Sequence, residues 1–156
     1  MTQADVDFVD RAPLVITTEL SLRQPPQAVW DVLTDNESWP DWFRSCKACR
    51  TTSEARTGVG STRWIHVDLF KVNERIIAWD EPHRWGFTLV DANVPIAETV
   101  VELAELTPDG NGTKIVYRFA VELKPWMRPL RPVMRWRFER LFASSLAGLQ
   151  PYLDAR

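Results

Sequence analysis

Few side chains in this sequence of 156 residues have both the type and the surroundings that proton transfer requires. There are two histidines, His66 and His83. His66 alternates with Trp64 and Asp68, opposite Ile65, Val67 and Leu69, so it lies on one face of an extended segment. If the Trp64 face is concave, His66 is the best-placed general acid or base, because an imidazole ordinarily titrates near neutrality; if the Ile65 face is inward, His66 is a surface residue. Tyr117 falls on the apolar phase of residues 114–123 with Ile115, Phe119, Val121 and Leu123. A phenol buried there needs a hydrogen-bond partner, either backbone or the carbonyl of a ligand. His66 and Tyr117 are therefore the two catalytic candidates. Ser145 sits in an apolar helical stripe, where its hydroxyl must either face a cavity or bond back to residue 141.

Other polar residues carry less. Arg75, Arg84 and Glu98 matter only if their strands turn them inward, and Arg118 alternates outward. Cys46 and Cys49 form a C-x-x-C pair, but on extended chain that spacing directs the two thiols to opposite faces, and each is expected to act as a small buried hydrophobe. A four-ligand zinc site would need carboxylates as well, and the sequence has no nucleophile elbow or phosphate loop. No metal and no cofactor is expected.

The elements that must position these residues are mostly strands. Residues 14–22 (LVITTELSL) read as a first strand, and Pro25-Pro26 then start a short helix through QAVWDVLTD. ESWPDWF adds a helical turn or two, and six further strands follow, the last two joined by the turn TPDGNGT. The inward register of residues 61–69 and 96–106 stays open, since Glu98 and Glu102 share a face with Val100 and Leu106. Residues 126–153 are the one long helix, with Met134, Phe138, Leu141, Phe142, Ser145, Leu149 and Tyr152 on one stripe. This order predicts an α+β fold in which a curved antiparallel sheet of about seven strands wraps a long C-terminal helix. Residues 1–13 are expected to be a flexible tail and 14–156 a single domain.

Composition narrows the function. A net charge of −2 with both signs spread along the chain argues against nucleic acid. There is no apolar run of 18 or more residues and no signal-peptide pattern, so a cytoplasmic protein is expected. Eight tryptophans supply rings that can fill a core or line a pocket. Arg128, Arg131, Arg135, Arg137 and Arg140 alternate with Trp126, Met127, Met134 and Trp136, a mixture that suits peripheral contact with an anionic membrane or a protein partner.

Five stretches together resemble the START-related helix-grip superfamily, and within it the polyketide cyclase/dehydratase-like (SRPBCC) group. They are PPQAVWDVLTDNESWPDWF at 25–43, GVGS at 58–61, AWDEPHRWGF at 78–87, TPDGNGT at 107–113 and SLAGLQPYL at 145–153. The resemblance implies an elongated cavity between sheet and helix that takes lipids, sterols, polyketides or aromatic molecules, with cyclisation or dehydration in some members. It carries over no catalytic residue. The leading expectation is a hydrophobic small-molecule ligand held by Trp64, His66, Trp85, Phe87, Tyr117, Phe119, Phe138, Leu141 and Ser145. The alternatives are a cyclase- or dehydratase-type enzyme and a lipid carrier that docks through Arg128, Arg131 and Arg135.

Overall fold

Alternating apolar and polar residues commit most of this chain to strands buried on one face. A computed structural model describes residues 1–156. Its strands are β1 (Leu14–Leu22), β2 (Cys46–Thr51), β3 (Thr62–Val67), β4 (Phe70–Asp80), β5 (Arg84–Ala92), β6 (Ala97–Asp109) and β7 (Gly112–Leu123). They form one antiparallel sheet in the order β1-β7-β6-β5-β4-β3-β2. Strands β2 to β7 are thus a run of successive hairpins, and β1 pairs with β7 to put the two ends of the strand region side by side. The helices α1 (Pro26–Thr34) and α2 (Trp39–Trp42) carry the chain from one edge of the curled sheet to the other.

The C-terminal region differs from the single long helix that its periodicity predicts. It is a 3-10 turn over Pro125–Leu130, then α3 (Arg131–Leu146), then α4 (Leu149–Asp154). Packing explains the break. Gly148 lies so close to the end of α2 that a β-carbon there would sit 2.0 Å from the Trp42 carbonyl oxygen. The apolar stripe survives across the break: Met134, Phe138, Phe142, Ser145 and Leu149 are all buried.

The N-terminal residues are packed, where the sequence reads as a flexible tail. Phe8 and Val9 are buried against Ala78, Val101, Leu103 and Ala120, which makes a second small core on the convex side of the sheet. The strand β5 pairs with β6 only from Arg84–Glu105 to Thr88–Val101, and the first residues of the chain lie where the two strands part. There Thr2 N donates to Glu98 O (2.7 Å) and Ala4 N donates to Thr88 Oγ1 (3.2 Å).

The two cysteines also depart from simple alternation. A register shift between Cys46 and Ala48 puts both thiols into the main core. Burial pushes them up to about 11 for Cys46 and about 12 for Cys49, so both stay as thiols at neutral pH.

Replacing Gly148 with alanine should force α4 away from α2. We expect Gly148→Ala to lose about 1–3 kcal/mol in urea denaturation, the usual cost of overpacking. An unchanged midpoint would show that the α2–α4 contact is looser than described.

Candidate functional site

Five neighbouring strands turn their inward residues toward α3, and four of those residues, Arg63, Glu74, Glu102 and Tyr117, are ionisable groups in apolar surroundings. In β3, Arg63 and Ile65 are each 1 % exposed while Trp64 and His66 are half-buried on the other face, so the Ile65 side is the concave one. Arg63 is the direct cross-strand partner of Glu74 on β4. Further across the sheet, Phe87 of β5 faces Glu102 of β6. Phe87 also packs on Arg63, whose guanidinium carbon lies 4.6 Å from its ring centre. These residues form one band across the sheet floor.

Above that band is a hollow of ≈ 90 Å³, lined by 22 residues of which 19 are hydrophobic. Arg63, Glu74 and Glu102 are the other three. The apolar wall includes Phe43, Phe70, Phe87, Phe119, Phe138 and Phe142, and Met1 reaches it from the parted edges of β5 and β6.

Arg63 is fixed from several sides. Its Nε donates to Glu74 Oε2 at 2.5 Å and its Nη1 donates to Asn36 Oδ1 at 3.3 Å, while Nη2 is buried without any partner. The rings of Trp39 (4.2 Å) and Trp85 (4.9 Å) join Phe87 around the guanidinium. Burial alone would lower the Arg63 pKa, but Glu74 more than offsets it, and the group stays charged. Burial in turn pushes the Glu74 carboxyl up while Arg63 opposes the push. A charged guanidinium in this site needs a counter-charge, so the pair is ionic.

Glu102 is different. Its carboxylate oxygen accepts a hydrogen bond from the Tyr117 hydroxyl, and the half-buried residue is one of those lining the hollow. Burial first, then the nearby Glu74 charge, raises its pKa to about 8, against lesser lowering by Tyr117 and Arg63. Tyr117 is pushed up as well, by its own burial and by Glu102. At neutral pH Glu102 is therefore mostly a neutral carboxylic acid.

The residues singled out from the sequence are divided by this geometry. Phe87, Phe119, Phe138 and Leu141 line the hollow. Tyr117 is buried beneath the lining and meets it through Glu102, and Trp85 packs behind Phe87 (5.1 Å between rings). Ser145 instead pairs with Ser45, hydroxyl to hydroxyl at 2.5 Å, and so ties α3 to the start of β2. Trp64 and His66 lie on the far side of β3, 6.3 Å apart between ring centres, with Arg50 over Trp64. Arg63, Glu74 and Glu102 were not among the sequence candidates. Each does, however, sit in phase with buried apolar neighbours, which is a readable signal: Ile65 for Arg63, Val72 and Ile76 for Glu74, Val100 and Ala104 for Glu102.

A curled antiparallel sheet that grips a C-terminal helix over an apolar hollow defines a helix-grip ligand-binding domain. Residues 14–154 match the family described as "Polyketide cyclase / dehydrase and lipid transport", and the chain belongs to that family. An uncharacterised protein of Mycobacterium tuberculosis is 24 % identical over 152 residues, covering 97 % of this chain and 91 % of its own. Among solved structures, the ZhuI aromatase/cyclase from Streptomyces sp. R1128 superposes with a TM-score of 0.77 at 17 % identity over 92 % of this chain and 94 % of that one. A START superfamily protein from Mycobacterium smegmatis gives 0.74 at 16 % identity over 89 % and 98 %. At these identities the likeness is one of fold.

The raised Glu102 pKa has a stability consequence of definite sign. Between the ordinary glutamate range near 4.3 and about 8, the folded state holds a proton that the unfolded state has released, so stability falls as pH rises. Glu102→Gln should match the wild type in stability below pH 4 and gain on it by up to about 1.4 kcal/mol per pH unit from there to pH 8. Paired urea melts across that range check this. A constant difference between the two proteins would mean that Glu102 titrates normally.

Proposed function

We propose that this protein binds a neutral, mostly apolar ring or acyl molecule in the hollow, oriented by a carbonyl-type acceptor at Arg63 Nη2. The observation that carries this reading is the unpartnered Nη2 of a buried guanidinium in a lining that is otherwise apolar but for two carboxyl groups. Apolar burial supplies the affinity, at roughly 25 cal/mol per Å² removed from water, and the single donor supplies orientation. Charge favours a neutral ligand. Glu74 already balances Arg63, and Glu102 is mostly neutral, so a ligand carboxylate would add an uncompensated charge to a dry site.

A second observation favours a carrier role that includes contact with an anionic membrane. Residues 124–140 hold six of the 19 basic residues and one of the 21 acidic ones, so this segment carries +5 while the rest of the chain carries −7. Trp126, Leu130, Val133 and Trp136 are exposed on the same segment. Exposed aromatics among arginines are what an interfacial helix uses.

Native mass spectrometry of the purified protein, followed by thermal shift with retained or candidate ligands, tests the binding reading. A neutral aromatic ketone should raise Tm in wild type, since a ligand of the native state stabilises it, and the matched carboxylic acid should do so less. Equal shifts for both, or none for either, would contradict it. Flotation with phosphatidylserine vesicles at low salt tests the carrier role, and absence of binding there would remove it.

A further inference from the structure

Residues 1–13 precede the stretch matched to the family, 14–154, and pack on the convex side of the sheet. The strands β5 and β6 pair as far as Thr88–Val101 and no further. Beyond that point Leu89 and Ala92 on β5 and Ala97 and Val100 on β6 all line the hollow, so the parting between the strands opens into it. We propose that residues 1–5 form a displaceable strap across this parting, and that its release opens a side entrance through which an apolar ligand passes into and out of the hollow. As a ligand route this rests on the reading of the hollow as a binding site; the opening itself does not.

The strap reaches from one strand to the other. Thr2 N donates to Glu98 O of β6 at 2.7 Å, and Ala4 N donates to Thr88 Oγ1 of β5 at 3.2 Å. Thr88 is buried where the strands separate, and its hydroxyl also donates to Val100 O at 3.1 Å. One side chain therefore both ends the paired stretch and seats the strap. Between these two links Gln3 Oε1 accepts from Arg75 Nη1 at 2.8 Å, and Arg75 is the cross-strand partner of Thr88. Met1 belongs to the lining of the hollow although Phe8 and Val9 pack on the convex face, so the segment reaches from one side of the sheet to the other at the parting.

This strap is fastened unevenly. Its root is pinned by Phe8 and Val9, which are 4 % and 5 % exposed in the small convex core. Its tip is loosely seated: Met1 is 40 % exposed, Thr2, Gln3 and Asp5 are exposed, and Ala4 is half-buried. A recess remains between Gln3, Ala4 and Asp5 on one side and Arg75, Ile77 and Thr88 on the other. Little apolar area is uncovered when such a tip lifts, so its three hydrogen bonds set most of the cost. Segments with few buried contacts and exposed hydrogen bonds open well below the free energy of global unfolding. With the root fixed, residues 1–5 can swing off and return while the sheet stays intact. The edges they uncover, Leu89, Ala92, Ala97 and Val100, are apolar, which suits passage of an apolar molecule and opposes that of an ion.

The test uses a thiol as a reporter of access and needs no ligand. Ala97→Cys places a small thiol in the lining beside the parting, and its alkylation by N-ethylmaleimide is followed by mass spectrometry with the native strap and with two altered ones. Thr2→Pro removes the donor to Glu98 O, and Gln3→Ala removes the acceptor for Arg75 while leaving the backbone intact. We expect the introduced thiol to react about fivefold faster with Thr2→Pro than with the native strap, the effect of one lost hydrogen bond on the open population, and to gain less with Gln3→Ala. The buried Cys46 and Cys49 are internal controls and should react no faster with either change.

An alkylation rate at position 97 that is the same for all three straps would overturn the proposal, because the reagent then reaches the hollow by another route. Matching acceleration of Cys46 and Cys49 would overturn it too, since the whole fold has then loosened. Either failure leaves the binding reading untouched. Absence of any ligand response in thermal shift would instead overturn the ligand route while leaving these rates as expected.

Discussion

The buried pair of Arg63 and Glu74 is the constraint around which the concave side of this molecule is arranged. Removing either partner alone from such a pair typically costs about 3–5 kcal/mol, because the other is left charged and unpaired in a dry site. Much of the surrounding structure can be understood as support for it. Asn36, in the turn between α1 and α2, contributes an acceptor to Nη1. Trp39 from α2 and Trp85 and Phe87 from β5 place aromatic faces around the guanidinium. The connection from β1 to β2 is thereby tied to the middle of the sheet, although no strand pairing joins them.

The same pair gives the hollow its chemical character. With Arg63 and Glu74 balancing each other, the remaining ionisable group, Glu102, has no counter-ion of its own. Burial and Glu74 then hold it in the neutral form at neutral pH. The lining is thus nearly uncharged, with one balanced ion pair and one weak acid among apolar residues. Its other side is formed by α3, whose outer face and preceding turn expose Trp126 and Trp136.

Much of this fold was legible in the sequence, and so was part of the apolar wall of the site, Phe87, Phe119, Phe138 and Leu141, but not its charged groups. The run of strands, the hairpin at TPDGNGT and the α3 stripe follow from periodicity and turn residues, which are local signals. Arg63, Glu74 and Glu102 were missed because a charge in a strand ordinarily marks the solvent side, and each of these breaks that rule in phase with buried apolar neighbours. The same phase decides His66: once Arg63 and Ile65 face inward, His66 faces out. The break at Gly148 depends on a contact with Trp42 more than a hundred residues earlier, and no helical pattern carries that information. The packing of the N-terminal segment was carried only by Phe8 and Val9 within an otherwise polar stretch, where two apolar residues are too few to define a period.

The most direct measurement is a crystal structure of the protein with a neutral aromatic ketone such as 2-tetralone. The ketone should lie in the hollow with its oxygen about 3 Å from Arg63 Nη2, and with Glu74 still on Nε. A ketone bound elsewhere, or bound in the hollow with its oxygen turned away while Nη2 stays unpartnered, would contradict the claim that this guanidinium is the orienting group of the site.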